Sequence, residues 1–193
     1  MPTAITHAFV GAALGAACAP KQAARRFVAA STICSVLPDL DVIGFRLGIR
    51  YGDVLGHRGL SHSLFFALVM SAIVVPLVFR GMSGFSKRWW RLCLFFFAFM
   101  ALHDVLDAMT RGGLGIAFFS PFDTIRYFLP WRPIEVAPIG VAVMFSRCGA
   151  RALTSEFVWV WIPTILISGA VWAATRKHLF QIHGAQGQRT NGD

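Results

Sequence analysis

LCLFFFAFMALHDVLDAM, residues 92–109, decides how the chain is read. From Leu92 to Leu102 no side chain is charged, and then His103, Asp104 and Asp107 arrive together. An uncharged block of this length predicts a helix in lipid. An ionisable side chain inside a membrane helix costs roughly 2.5–3.5 kcal/mol on insertion scales, so such residues need a reason to be there. Positions i and i+4 share one helix face, which pairs His103 with Asp107. A divalent cation is one reason, since imidazole and carboxylate suit zinc and similar ions. A helix cap or an internal His–Asp hydrogen bond is the other.

Composition agrees with lipid. Of 193 residues, 56% are hydrophobic and 14% charged, against about 25% charged in soluble domains. The net charge is +9. The basic residues flank apolar runs, as membrane anchors do, so anionic headgroups or phosphorylated substrates explain them and no nucleic acid is expected. Cys18, Cys34, Cys93 and Cys148 contain no Cys-x-x-Cys pair, which argues against a thiolate metal site or a disulfide framework. The N-terminus lacks the positive region of a signal peptide and is expected to be retained.

The pattern predicts an all-α polytopic bundle of about four to five membrane helices. Residues 1–175 form one membrane-embedded domain, and 176–193 a polar, disordered tail. The helices fall at 4–19, 22–37, 61–79, 89–110 and 156–175, and the first two are short for full spans. Gly11 and Gly15 form a small-residue step that admits a neighbouring helix. Pro38 closes the second helix, 38–60 is a polar loop, and Pro76 kinks the third. Within 111–153, the apolar stretch 134–145 is too short to span and reads as re-entrant or interfacial.

Lys21, Arg25 and Arg26, then Arg80, Lys87, Arg88 and Arg91, then Arg176 and Lys177 alternate onto one face, which the positive-inside rule makes cytoplasmic. His7, Asp39, Asp41, His57, His62, His103 and Asp107 then all reach the other face. Asp39 and Asp41, in PDLD 38–41, serve as two ligands, as ligand and base, or as a solvated turn. In HRGLSHS 57–63, Ser61 is expected to cap a helix and to place His62 in its first turn. A helix start also favours anions, so His57, Arg58 and His62 form a metal-plus-phosphate corner or a simple polar helix entry. Seven His/Asp candidates exceed one zinc site, so either two ions or one ion with an acid/base pair uses them. Metal-activated water then implies hydrolysis, with Arg58 and Arg111 stabilising a phosphate.

The Thr6-His7 pair, PDLD 38–41, HRGLSHS 57–63, HDVLDAMTRGG 103–113 and FFSPF 118–122 together resemble the YdjM-type bacterial membrane-bound metal-dependent hydrolases, over most of residues 1–125. Ser61 stands where that family usually has Thr. The resemblance implies a multi-pass protein of the bacterial inner membrane with hydrolase activity. The family is distantly similar to zinc-dependent phospholipases C and single-strand nucleases. By that similarity His7, Asp39, His57, His62, His103 and Asp107 hold metal, with Asp41 a ligand or base.

The expected function is therefore cleavage of a phosphoester-type bond in a lipid or lipid-linked substrate. Asp41 and Arg58 are the catalytic candidates; Arg58, Ser61 and Arg111 are the substrate-binding ones. The cofactor is one to three divalent ions, zinc first, manganese or magnesium otherwise. The partners are membrane lipid and the lipid-linked phosphate, and the site lies on the non-cytoplasmic face. A non-catalytic metal-binding or metal-transporting membrane protein is the alternative.

Overall fold

Thr3 starts the first helix, accepting the Thr6 amide on its hydroxyl at 3.2 Å. That helix, α1 (Ala4–Cys18), turns back through a short 3-10 segment into α2 (Ala24–Val36). The two pack as a hairpin at close range. A methyl placed on Gly11 would sit 2.6 Å from the Ser31 carbonyl, and one on Gly15 2.8 Å from Ser31 Cβ. Only glycine permits that approach, as the small-residue step predicts. The structure, a computed structural model, describes residues 1–138 and 146–189.

The backbone does not enter a loop at Pro38. A 3-10 helix runs from Leu37 to Leu47, with Pro38 in its first turn and Gly48, at φ 80°, ending it. Proline is tolerated there because the first turn of a helix has no use for its missing N–H. The PDLD carboxylates therefore sit on a helical segment with fixed orientation.

Ser63, not Ser61, caps α3 (Leu64–Val78), accepting from the Phe66 amide at 3.1 Å. Residues Leu60–His62 form a separate 3-10 turn before it. The hydroxyl of Ser61 is engaged elsewhere, by Asp41 at 2.6 Å. Pro76 lies inside α3, near its end. Ser86 caps α4 (Lys87–Ala108), the helix that carries His103 and Asp107.

After α4 the chain runs through an irregular segment with two isolated bridges, Thr110 with Ile134 and Ile116 with Tyr127. Of the 134–145 stretch, residues 134–138 follow the non-helical path of this segment, and 139–145 lie outside the described residues. α5 (Arg147–Glu156) continues through a π-helical turn, Phe157–Trp161, into α6 (Ile162–Arg189). Where a disordered tail is expected from Arg176, the α6 backbone continues as helix to Arg189, and 190–193 lie outside the described residues.

No β-strand occurs among the described residues, so the protein is all-helical. Two helical stretches, Lys21–Leu47 and Arg147–Thr175, are long and apolar enough to cross a membrane; α1 and α3 are shorter apolar helices. α1 packs against α2 and α6, and α4 against α2 and α3. The core between α2, α3 and α4 holds Phe27, Cys34, Val75, Phe96 and Met100. Many large apolar side chains face outward, including Leu68, Leu77, Leu94 and Leu166, each more than half exposed. In lipid that exposure is cheap, and packing and hydrogen bonds hold the helices together.

Candidate metal centre

Five separated segments deliver their polar side chains to one place. His103 and Asp107 come from α4, Asp39 and Asp41 from the Leu37–Leu47 helix, and His62 from the 3-10 turn. His7 comes from α1, and His57 and Arg58 from the turn that precedes the 3-10 segment. His7, His57, Arg58, His62, His103 and Asp107 are all essentially solvent-free, and Asp39 is nearly so.

One ligand atom each from Asp39, His62, His103 and Asp107 lies within 4.8 Å of the others. His103 Nδ1 is 2.8 Å from the Ser35 carbonyl. A carbonyl only accepts, so Nδ1 carries the hydrogen and Nε2 presents a lone pair. His62 Nδ1 is 3.1 Å from Asp41 Oδ2, which fixes its hydrogen on that side too. The two Nε2 atoms then face each other at 3.1 Å, and each lies 3.6 Å from Asp39 Oδ1. A proton or a cation has to sit between two such lone pairs.

Neither oxygen of Asp39 has a hydrogen-bond donor. A buried carboxylate without donors is costly, and one shared proton leaves most of that cost in place. The carboxylates of Asp39, Asp41 and Asp107 also outnumber the one guanidinium among them, Arg58. Two imidazole lone pairs and two carboxylates around one point are a donor set for a divalent ion. The residues present therefore fit a metal.

The remaining expected residues surround this group. His7 Nε2 is 3.2 Å from Asp107 Oδ1, and its ring lies 3.8 Å from that of His103. His57 Nδ1 is 2.6 Å from Asp41 Oδ1, and Ser61 Oγ donates to Asp41 Oδ2. Asp41, His57 and His62 make a second close group. Its distances are those of hydrogen bonds, with Asp41 holding the far side of His62, as outer partners of metal-ligating histidines do.

Arg58 adopts φ 64° and turns its side chain inward. Its guanidinium donates to Asp107 Oδ2 at 3.2 Å, the Gly112 carbonyl at 2.8 Å and Thr110 Oγ1 at 2.9 Å. These bonds steady Asp107, and the guanidinium is occupied by protein groups. Gly113, at φ 86°, leaves room for it, since a methyl there would lie 2.7 Å from Nη1. Arg111 is not brought to the cluster. It lies at the surface, paired with Glu135 at 3.3 Å.

A known family matches the chain over these motifs and beyond them: the model of the YdjM inner membrane proteins covers residues 1–178. The chain belongs to the YdjM inner membrane protein family. It is 38% identical over 172 residues to inner membrane protein YbcI of Escherichia coli strain K12, covering 89% of this chain and 98% of that protein. No solved structure matches it. This member of the YdjM family is thus an inner membrane protein with a buried Asp/His group that could hold a metal ion.

Three features of the site are weakly signalled in the sequence. Asp104 is buried beside His103, and neither of its oxygens has a partner; its adjacency to the His-x-x-x-Asp step is the only clue. Glu156 is fully buried and accepts from Thr3 N at 2.8 Å, Thr3 Oγ1 at 2.7 Å and Thr6 Oγ1. Trp161 Nε1 donates to the same Thr6 hydroxyl at 2.7 Å. This network fixes the start of α1, hence His7. A lone acid at the head of an apolar helix was its visible signal. Met1 has none: its thioether lies 2.8 Å from His57 Nε2, and burial lowers its α-amine to about 6 against the opposing pull of Asp107.

Proposed function

We propose that the protein is a membrane-bound, metal-dependent hydrolase that cleaves a phosphoester-type bond of a lipid or lipid-linked substrate. One observation carries this reading: Asp39, His62, His103 and Asp107 converge with their lone pairs facing one another and no donor to satisfy Asp39. A divalent cation held there supplies Lewis acidity and a more acidic water. Zinc fits this mixed nitrogen and oxygen set best.

The chain's own residues supply the frame. Ser35 and Asp41 orient His103 and His62 through their Nδ1 atoms, and Arg58 holds Asp107. Asp41 is the candidate base and Ser61 the hydroxyl beside it. We read four to five helices as crossing the membrane, with α1 and the start of α5 bringing the site to the non-cytoplasmic face. The basic residues around Lys21, Lys87 and Lys177 support that orientation through the positive-inside rule. A lipid-linked substrate is favoured because the ligands sit at helix ends, near the depth of the headgroups.

Purified protein tests the reading by elemental analysis. One or more equivalents of divalent metal are expected in the wild type and fewer in His103→Ala and Asp107→Ala; unchanged content in both variants removes the site. Phospholipids and prenyl phosphates with added zinc or manganese then test turnover.

The near-complete burial of the four ligands favours a second reading, a non-catalytic metal-binding membrane protein. Bound metal with no turnover on any phosphoester lipid selects it.

A further inference from the structure

Two cavities share Ser120 on the side of the His57–Gly59 turn opposite the cluster. An apolar groove of about 550 Å³ runs between α3 and α4, walled by Leu64, Phe65, Leu68, Leu94, Phe97 and Phe122. Ser120 also lines it, and the same Ser120 lines a polar pocket of about 280 Å³ with Gly59, Thr124 and Arg126. The groove volume falls in the range of about 300–1,000 Å³ that holds a single small ligand.

In this pair of cavities one side chain has no hydrogen-bond partner and another has no counter-charge. Ser120 is 1% exposed and its Oγ has no hydrogen-bond partner. A buried hydroxyl without a partner is uncommon and costly. Arg126 donates only to backbone carbonyls, those of His57, Tyr51 and Asp53. Among the described residues no carboxylate pairs with it. Asp53, which also lines the pocket, is turned toward Arg50 at 3.5 Å. A guanidinium bonded to neutral carbonyls with no anionic partner, and a hydroxyl with no partner, beside an apolar channel match an amphiphile with an anionic head.

We propose that this is a binding site for one membrane phospholipid. An acyl chain lies in the α3/α4 groove, and the phosphodiester takes hydrogen bonds from Ser120 Oγ and Arg126. The turn His57-Arg58-Gly59 divides this site from the metal cluster. Its His57 and Arg58 side chains face the cluster. Its backbone serves the lipid pocket: the His57 carbonyl accepts from Arg126, the Arg58 carbonyl accepts from Ala117 N at 3.1 Å, and Gly59 lines the wall. The bound lipid is therefore a fixed component that braces the turn, and the proposal stands whether or not the metal centre is catalytic.

The test is native mass spectrometry of the full chain in detergent, titrated separately with dioleoyl phosphatidylglycerol and with dioleoylglycerol, which has the same chains and no phosphate. One phosphatidylglycerol is expected to be retained, about tenfold more tightly than dioleoylglycerol, the worth of a charge-assisted hydrogen bond. Ser120→Ala removes part of that preference. Leu94→Trp, at an outward-facing position, fills the groove and weakens both lipids. Equal retention of the two lipids overturns the phosphodiester contact. Phosphatidylglycerol retention unchanged in Leu94→Trp overturns the groove, and because that residue is exposed the variant tests the idea even if Ser120→Ala fails to fold.

Discussion

Replacing Asp41 by asparagine separates an orienting role from a ligand role. Asp41 Oδ2 accepts from Ser61 Oγ at 2.6 Å and Arg58 N at 3.2 Å, and lies 3.1 Å from His62 Nδ1; Oδ1 lies 2.6 Å from His57 Nδ1. Every neighbour is a donor. Asparagine keeps the shape but must turn its amide N toward one of them, and His57 is the one that can yield by changing tautomer. His62 then keeps an oxygen partner, now uncharged. Hydrogen bonds to charged groups contribute about 1.5–3 kcal/mol and neutral ones about 1, so the loss is about 1–2 kcal/mol. Transmitted through His62, that weakens metal binding about five- to thirtyfold, toward the low end of the roughly 10–100-fold that outer partners control. The assay is competition of purified protein against a fluorescent zinc chelator, with metal stoichiometry measured alongside. Asp41→Asn should keep the wild-type stoichiometry at lower affinity, while Asp39→Asn loses the ion. An affinity unchanged within about twofold refutes the orienting role. Loss of a whole equivalent in Asp41→Asn refutes it differently, by making Asp41 a ligand of a second ion.

Glu156→Ala strips the acceptor from three donors on Thr3 and Thr6 and should cost about 3 kcal/mol, seen as a lower unfolding temperature in detergent; Glu156→Gln should lose less, and equal stability in both variants would show that the network holds nothing. Gly11→Val drives a side chain into Ser31 and Ser35 and should destabilise the hairpin by about 1–3 kcal/mol; wild-type thermal stability would mean α1 and α2 do not meet there. Cys18 and Cys148 are exposed and free, at the far end of α1 and the near end of α5. A membrane-impermeant maleimide applied to intact spheroplasts should label Cys148 and spare Cys18, and the reverse pattern inverts the proposed orientation.

The helical class and most helix positions are legible because long apolar runs and the residues that bound them can be counted along a chain. The 92–109 stretch shows this: its apolar block and its His103–Asp107 spacing need no tertiary information. The convergence of His7, Asp39, His62 and Asp107 was approached through alternating topology, which places groups on a face but not within bonding distance.

Local capping choices were less legible. Ser61 and Ser63 are equivalent as caps in sequence, and only the position of Asp41 draws Ser61 away. Pro38 reads as a stop, yet the 3-10 geometry absorbs it. Arg58 and Arg111 look alike in a list of cations, and folding buries one against Asp107 while leaving the other at the surface with Glu135.

By itself the sequence determined an all-helical, apolar chain carrying a set of His and Asp at helix ends, because hydropathy and helix periodicity are properties of neighbours along the chain. Only the tertiary structure decided which of those residues present lone pairs to a common point, which stand behind them as orienting partners, and which are occupied elsewhere. Those distinctions depend on distances of a few ångströms between segments far apart in sequence, set by how closely glycine lets α1 approach α2 and by which donors fill each carboxylate.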